Sequence, residues 1–407
     1  MLTVKSPEEA LAIICARFLP VPAGAESVGL NDACGRILHA GVIAGEYVPG
    51  FDRSTVDGYA VISADTFGCS ETIPAMLALT GEVLMGKSAQ DNLRPGTCIA
   101  VSTGGDLPDG ADAVVMLEHA EDYGGGLVGI TSPVAPGNNI IFRGDDVSPG
   151  DMVLTGGTRL SPHDIGILAA LGSSSVGVRR RPMAAIISTG DELVGTAVTP
   201  SRGQVRDVNT PLLMTQVRQF GADVRSYGII QDDEGALSEA VTRASDDCDV
   251  VLISGGSSAG MRDLTARVIE TMGEILFHGV AMKPGKPTIL GDIGGKPVLG
   301  LPGHPVAAYF VTELFVGPLV GLLTGAPVTT EKRRVLTASI SEAISANHGR
   351  AEYIAVALEN GDATARPIKG KSGLIASLAG TDGYISIPRD CEGIAKGAQV
   401  SVTLWRT

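Results

Sequence analysis

Apolar positions along the chain change their spacing twice. Near the start, Leu11, Ile14, Cys15 and Phe18 fall on one face of a predicted helix. Ser6-Pro7-Glu8-Glu9 supplies its opening: a serine cap, proline at the first position and a glutamate closing a capping box. Residues 27–180 then read mainly as short strands between Gly, Pro and Asp turns, among them 75–83, 98–102, 113–118 and 127–130. Ser161 and Pro162 begin a second helix, which ends by Gly172.

From Arg181 strands and helices alternate. Strands are predicted at 183–188, 223–230, 250–254, 275–281, 288–291 and 297–301. Helices are predicted from Asn209 or Thr210 to Phe220, over 234–245 and over 263–272, with an apolar helix after Pro302-Gly303-His304-Pro305. Such alternation predicts βαβ units and a parallel sheet. Ligands of these sheets sit beyond the carboxyl ends of the strands. Three glycine- or proline-rich turns fall there: 188–192, 254–260 and 301–305. After Pro327 the chain returns to alternating strands at 334–340, 351–358, 383–388 and 399–405, which reads as a separate small β-domain.

A length of 407 residues suggests about two to three domains. Hydrophobic residues at 44% and charged residues at 19% describe a globular chain. Glycine (54) and proline (23) are abundant without a G-X-Y period, so they signal tight turns. The net charge is −14, and the densest basic run is Arg179-Arg180-Arg181. No nucleic-acid partner is expected from that balance. An anionic substrate would need a local basic pocket or a bound cation. The six cysteines form no CxxC pair and the N-terminus does not read as a signal peptide, so a reduced, cytoplasmic protein is expected. Residues 306–328 come nearest to a membrane span, but Glu313, Pro318 and three glycines interrupt them, so a buried helix and no membrane partner are expected.

Six polar segments could carry chemistry. Phe51-Asp52-Arg53-Ser54-Thr55-Val56-Asp57-Gly58-Tyr59-Ala60 combines carboxylates and an arginine beside a glycine. Val101-Ser102-Thr103-Gly104-Gly105 could present backbone N–H groups to an oxyanion. The run from Gly137 to Asp146 ends in adjacent acids, which repel unless solvated or cation-bound. Ser188-Thr189-Gly190-Asp191-Glu192 places acids at a strand end, where carboxylate oxygens suit Mg²⁺ or simply the dipole of a following helix. Ser254-Gly255-Gly256-Ser257-Ser258-Ala259-Gly260, followed by Asp263, permits close backbone approach to phosphate. It is neither GxGxxG nor a Walker loop. Lys283-Pro284-Gly285-Lys286-Pro287 sets two lysines three apart on a stiffened turn, suited to a small tetrahedral dianion. Each segment also reads as plain turn or surface chemistry, and spacing alone does not choose. His304, between prolines, reads as a turn residue, and no GxSxG elbow supports a hydrolase.

Taken in order, these segments resemble the MoeA family, the molybdenum insertases of molybdenum-cofactor biosynthesis, which includes the E domain of gephyrin. FDRSTVDGYA, STGDEL, SGGSSAG with its aspartate, KPGKP and LPGHPV are similar to family signatures, as are Gly349-Arg350-Ala351-Glu352-Tyr353 and Lys371-Ser372-Gly373. The resemblance runs from about Leu2 to Trp405. It implies a multidomain α/β plus β protein: a central MogA/MoaB-like three-layer α/β domain with a mostly parallel sheet (180–327), an inserted β-domain (46–146), an elongated linking domain (1–45 and 147–179, its first helix placed against the α/β domain) and a C-terminal β-barrel-like domain (328–407). It also implies a homodimer whose active site draws on both subunits.

The implied reaction is molybdopterin molybdenumtransferase activity. Adenylylated molybdopterin and molybdate are the substrates, AMP leaves and Mg²⁺ assists. Molybdopterin adenylyltransferase and downstream molybdoenzyme chaperones are further candidate partners. The implied substrate-binding residues are Ser188, Thr189, Gly190, Gly255, Gly256, Ser257, Ser258, Lys283, Lys286, Pro302, Pro305 and Arg350. The implied metal residues are Asp191, Glu192 and Asp263. Asp57 or Asp146 would supply a proton, with Thr103 and Asp232 as further catalytic positions. Three departures stand out. His304 replaces the asparagine common in the LPGNP form, no aromatic follows Asp263, and no serine matches near Gly380. Two rival functions are the adenylyltransferase step alone and a non-catalytic dimeric scaffold.

Overall fold

A computed structural model describes residues 4–18, 24–255, 259–325, 334–368 and 370–405; for 259–263 it describes the backbone only. The central sheet has six strands in the order Asp223–Ile230, Met183–Thr189, Val250–Gly255, Lys296–Leu301, Ile289–Ile293, Glu274–His278. The strand Met183–Thr189 is apolar as far as Ile187 because both of its faces are covered. Ala184 and Ile186 pack with Leu213 and Val217 of helix Asn209–Gln219, and with Phe315 and Leu319 of the apolar helical segment. Ala185 and Ile187 pack on the other side with Leu237, Val241, Val268 and Ile269. The result is a three-layer α/β unit. The N-terminal helix Pro7–Arg17 joins its first core through Ala10, Ile14 and Phe18.

The sheet is parallel except for Ile289–Ile293, which runs antiparallel to both neighbours. Gly294-Gly295 joins it to Lys296–Leu301, and a loop that short reverses the chain. Most bounds lie within one or two residues of expectation, and two shift by more. The helix expected from Asp263 begins at Ala259, and the strand expected to reach 281 stops at His278. Gly221 ends the 209–219 helix as expected, at φ +96°.

The predicted capping box of Ser6 with Glu9 forms, and the helix expected from Ser161 opens on a second one, Ser161 with Asp164. Between them, a second six-stranded sheet runs from Gly58 to Ile130. The chain before and after it pairs with itself, Ala25–Gly29 against Ser175–Arg179 and Val42–Ile43 against Met152–Leu154. Ala33, Leu38, Leu154, Leu160, Leu168 and Val178 form one core from both flanks.

Ala351–Glu359, Thr364–Pro367, Val335–Ile340, Gln399–Leu404 and Gly383–Ile387 close into a five-stranded barrel, the last strand pairing back to the first. The barrel sits on helix Pro305–Val311 through aromatic contacts. Trp405 lies 5.1, 5.2 and 5.6 Å from the rings of Tyr309, Tyr384 and Phe310. Burial there pushes the Tyr309 hydroxyl pKa well up. Pro305–Leu323 is long and apolar enough to cross a membrane, but 72% of that window is buried inside the protein. Its contacts are those of a core element.

Candidate functional site

The three strand-end turns converge. Ser188, Thr189 and Glu192 from the first, Ser254 and Gly255 from the second, and Gly303, His304 and Pro305 from the third line a cavity of about 680 Å³. Asp207 and Asn209 complete it from the start of helix Asn209–Gln219, and Gly373 and Ile375 face it from the barrel. This is the carboxyl-end crevice expected of such a sheet.

Polar bonds tie the turns together. Asn209 Nδ2 donates to Ser254 Oγ at 2.8 Å and to the Gly303 carbonyl at 2.9 Å. The Ser188 and Thr210 hydroxyls share a 2.8 Å bond. Asp207 Oδ1 accepts from the Thr210 amide at 3.0 Å. The residue pattern marked Asn209 and Thr210 only as a helix opening; their cross-links needed the fold. Gly255 must lack a side chain, because a Cβ there would lie 2.3 Å from the Thr189 carbonyl oxygen on the adjacent strand.

A second cavity, of about 920 Å³, opens between the α/β unit and the barrel. Lys283, Lys286 and Pro302 line it from one side, and Arg350, Glu352, Lys371 and Ser372 from the other. Its cations stand out in a chain of net charge −14. Glu352 is buried and accepts from Lys283 Nζ at 3.2 and 3.3 Å and from the Asn347 amide at 2.9 Å. That leaves Lys286, Arg350 and Lys371 as the cavity cations without a carboxylate bond among the described contacts. Met282 and Lys283 also pair in parallel with Ala351 and Glu352, so a backbone ladder fixes this wall.

The remaining expected residues lie elsewhere. Asp232 Oδ1 accepts from Thr189 Oγ1 at 2.9 Å, just behind the first cavity. Asp191 Oδ1 accepts from the Asp232 amide, and neither Asp191 nor Gly190 lines either of the two cavities. Gly256, Ser257 and Ser258 lie outside the described residues, as does the Asp263 side chain. Asp57 Oδ1 accepts from the Thr103 amide at 2.7 Å and from its hydroxyl at 3.1 Å. They meet because Gly58 and Val101 are paired where their strands end. The 51–60, 101–105 and 137–146 segments knit together here: Ser54 N donates to the Gly105 carbonyl, and Thr55 N to the Asn139 carbonyl. Asp146 borders an open groove beside His163 and Asp164. Neither Asp57, Thr103 nor Asp146 lines either cavity within one chain.

Among the described residues no group of three or more His, Cys, Asp or Glu side chains could hold a metal. Mg²⁺ commonly needs only one or two carboxylates alongside substrate phosphates. Of the expected metal residues Glu192 fits, since it lines the first cavity and no ion pair engages it among the described contacts; Asp207 also lines that cavity, but its Oδ1 accepts from the Thr210 amide.

Residues 5–172 match the MoeA N-terminal region (domain I and II), residues 185–321 a probable molybdopterin binding domain, and residues 337–405 the MoeA C-terminal region (domain IV). The chain belongs to the MoeA family. Two relatives named molybdopterin molybdenumtransferase agree along most of its length. Molybdopterin molybdenumtransferase 2 of Mycobacterium tuberculosis is 32% identical, the alignment covering 92% of this chain and 94% of the relative. That of Bacillus subtilis is also 32% identical, covering 94% and 90%. The crystal structure of the molybdopterin biosynthesis MoeA protein from Pyrococcus horikoshii OT3 superposes with a TM-score of 0.87 at 34% identity, over 99% of this chain and 100% of that one. The two cavities of this MoeA chain fall within and beside the segment that matches a molybdopterin binding domain.

Proposed function

We propose that this protein is a molybdopterin molybdenumtransferase, acting in the cytoplasm as a homodimer in molybdenum-cofactor biosynthesis. Its substrates are adenylylated molybdopterin and molybdate, and AMP is released. The observation that carries the reading is the pair of adjoining cavities, one polar and built on strand ends, the other cationic. The first suits the phosphorylated pterin nucleotide. Ser188 and Ser254 offer hydroxyls, and Gly255 offers a bare backbone on which phosphate can approach closely. The second suits a tetrahedral dianion: Lys286, Arg350 and Lys371 hold it, while Pro302 shapes the floor.

Bound Mg²⁺ would neutralise the pyrophosphate, held by Glu192 and Asp263. The residues of the chain do the rest. The cationic wall fixes the oxyanion beside the pterin nucleotide, which converts an encounter into a positioned reaction. An oxo group that leaves as water needs protons, and Asp57, oriented by Thr103, is the proposed donor. Because that pair lies away from both cavities of its own chain, a second copy would bring it to the site.

The test is AMP release from adenylylated molybdopterin, with Mg²⁺, in the presence and absence of micromolar molybdate. Release that depends on molybdate and yields active cofactor is expected. Release indifferent to molybdate would overturn the proposal.

A further inference from the structure

We propose that His304 is a positioning residue that joins the two cavities into one reaction site by holding the 370–375 loop as their shared wall. This rests on the transferase reading above for its meaning, though not for its geometry. Among the described lining residues His304 is the one that borders both cavities. The loop facing it alternates in the same way. Gly370, Lys371 and Ser372 line the cationic cavity, whereas Gly373 and Ile375 line the polar one.

Two bonds fasten the loop to the turn that carries His304. The imidazole Nδ1 lies 2.8 Å from Ser372 Oγ, and the Val306 amide donates to the Ser372 carbonyl at 3.0 Å. The ring edge also approaches Gly373, where a Cβ would sit 3.8 Å from Cδ2. The turn itself is anchored, since Asn209 Nδ2 holds the Gly303 carbonyl at 2.9 Å and Pro302 and Pro305 restrict the backbone on either side. A fixed post thus carries an exposed imidazole that ties the barrel loop at the junction of the cavities.

The consequence concerns approach. The two substrates can react only where their cavities meet, and that place is bounded by the His304–Ser372 bond. Displacing the wall would leave each substrate bound in its own cavity while spoiling their mutual geometry. A displacement of about 1 Å can cost on the order of 100-fold in rate. Lys371 moves with the loop, but Lys286 and Arg350 stand outside it and still carry the oxyanion, so its binding alone would weaken by a few-fold at most.

The experiment compares His304→Ala, His304→Phe and His304→Asn in the full-length protein. Phenylalanine keeps a ring but no hydrogen-bonding nitrogen; asparagine keeps a bonding group on a shorter side chain. Three readouts are taken: amide hydrogen exchange at Val306 and 370–375, molybdate binding by calorimetry, and molybdenum inserted per AMP released. In the alanine and phenylalanine variants the loop should exchange faster and insertion per AMP should fall at least about 10-fold, with molybdate affinity within about 3-fold of wild type. The asparagine variant should recover most of both. Unchanged exchange in the alanine variant would overturn the shared wall. Faster exchange with wild-type coupling would overturn the positioning role. A wild-type protein with no molybdate-dependent AMP release would instead sink the transferase reading, and hydrogen exchange would still decide the wall.

Discussion

The Lys283–Glu352 pair closes the cationic cavity, and its strength follows from its exposure. Glu352 has 5% of its side chain exposed and Lys283 has 53%. Breaking a fully buried pair costs about 3–5 kcal/mol. An exposed pair contributes about 0–1 kcal/mol. The half-exposed lysine can recover water when its partner goes, so we expect a coupling energy of about 1 kcal/mol. Lys283→Met should cost about 1 kcal/mol, because the Asn347 amide still donates to the carboxylate at 2.9 Å. Glu352→Ala should cost more, about 3 kcal/mol, since it strands the Asn347 amide and empties a buried position on the ladder with Lys283. The assay is urea unfolding followed by the fluorescence of Trp405, the single tryptophan, which sits where the barrel meets the apolar helix. A double-mutant cycle on Lys283→Met and Glu352→Gln then gives the coupling. Additivity within about 0.3 kcal/mol would refute the pairing. Equal costs for Lys283→Met and Glu352→Ala would refute the assigned asymmetry.

Four further outcomes are expected. Lys286→Ala should abolish molybdenum insertion and leave urea unfolding unchanged, because the side chain is exposed in the cavity; wild-type turnover would remove it from the oxyanion site. Asn209→Ala should lower stability by about 1–3 kcal/mol and weaken nucleotide binding in calorimetry, since it frees both Ser254 and the Gly303 turn. Gly255→Ala should destabilise by at least about 2 kcal/mol in thermal unfolding, because its Cβ would collide with the Thr189 carbonyl. Ser161→Ala should cost about 1 kcal/mol at neutral pH. Burial pushes the Asp164 carboxyl up, but hydrogen bonds from Ser161 outweigh this and hold it below its ordinary value. A carboxyl lowered in the folded state adds stability that is complete above its unfolded pKa. That stability is lost as pH falls through the lowered value, so the gap between wild type and Ser161→Ala should narrow in strong acid; a gap independent of pH would count against the capping box.

Signals carried by neighbouring residues were legible in the sequence. Ser6 with Glu9 is complete in four residues and forms the expected capping box, and Ser161-Pro162 opens a helix where expected. The apolar run at 183–188 foretold a strand covered on both faces, and the three strand-end turns do line one cavity. The family itself was legible, because its motifs are contiguous. Signals distributed over distant residues were not. The reversed strand Ile289–Ile293 was hinted at by Gly294-Gly295, yet alternation alone favours parallel pairing. Strand Thr364–Pro367 is short and left no pattern of its own; it exists because the barrel needs a partner for Ala351–Glu359.

The sequence by itself determined most of the helices and strands, the caps that open or close several of them, and which turns can approach an anion, because periodicity, caps and glycine act within a few residues. Only the tertiary structure decided that Asn209 cross-links two turns, that Glu352 is buried against Lys283, and that His304 meets Ser372 across sixty-eight positions. Those contacts depend on how packed layers bring remote backbone together, and no local pattern records that distance.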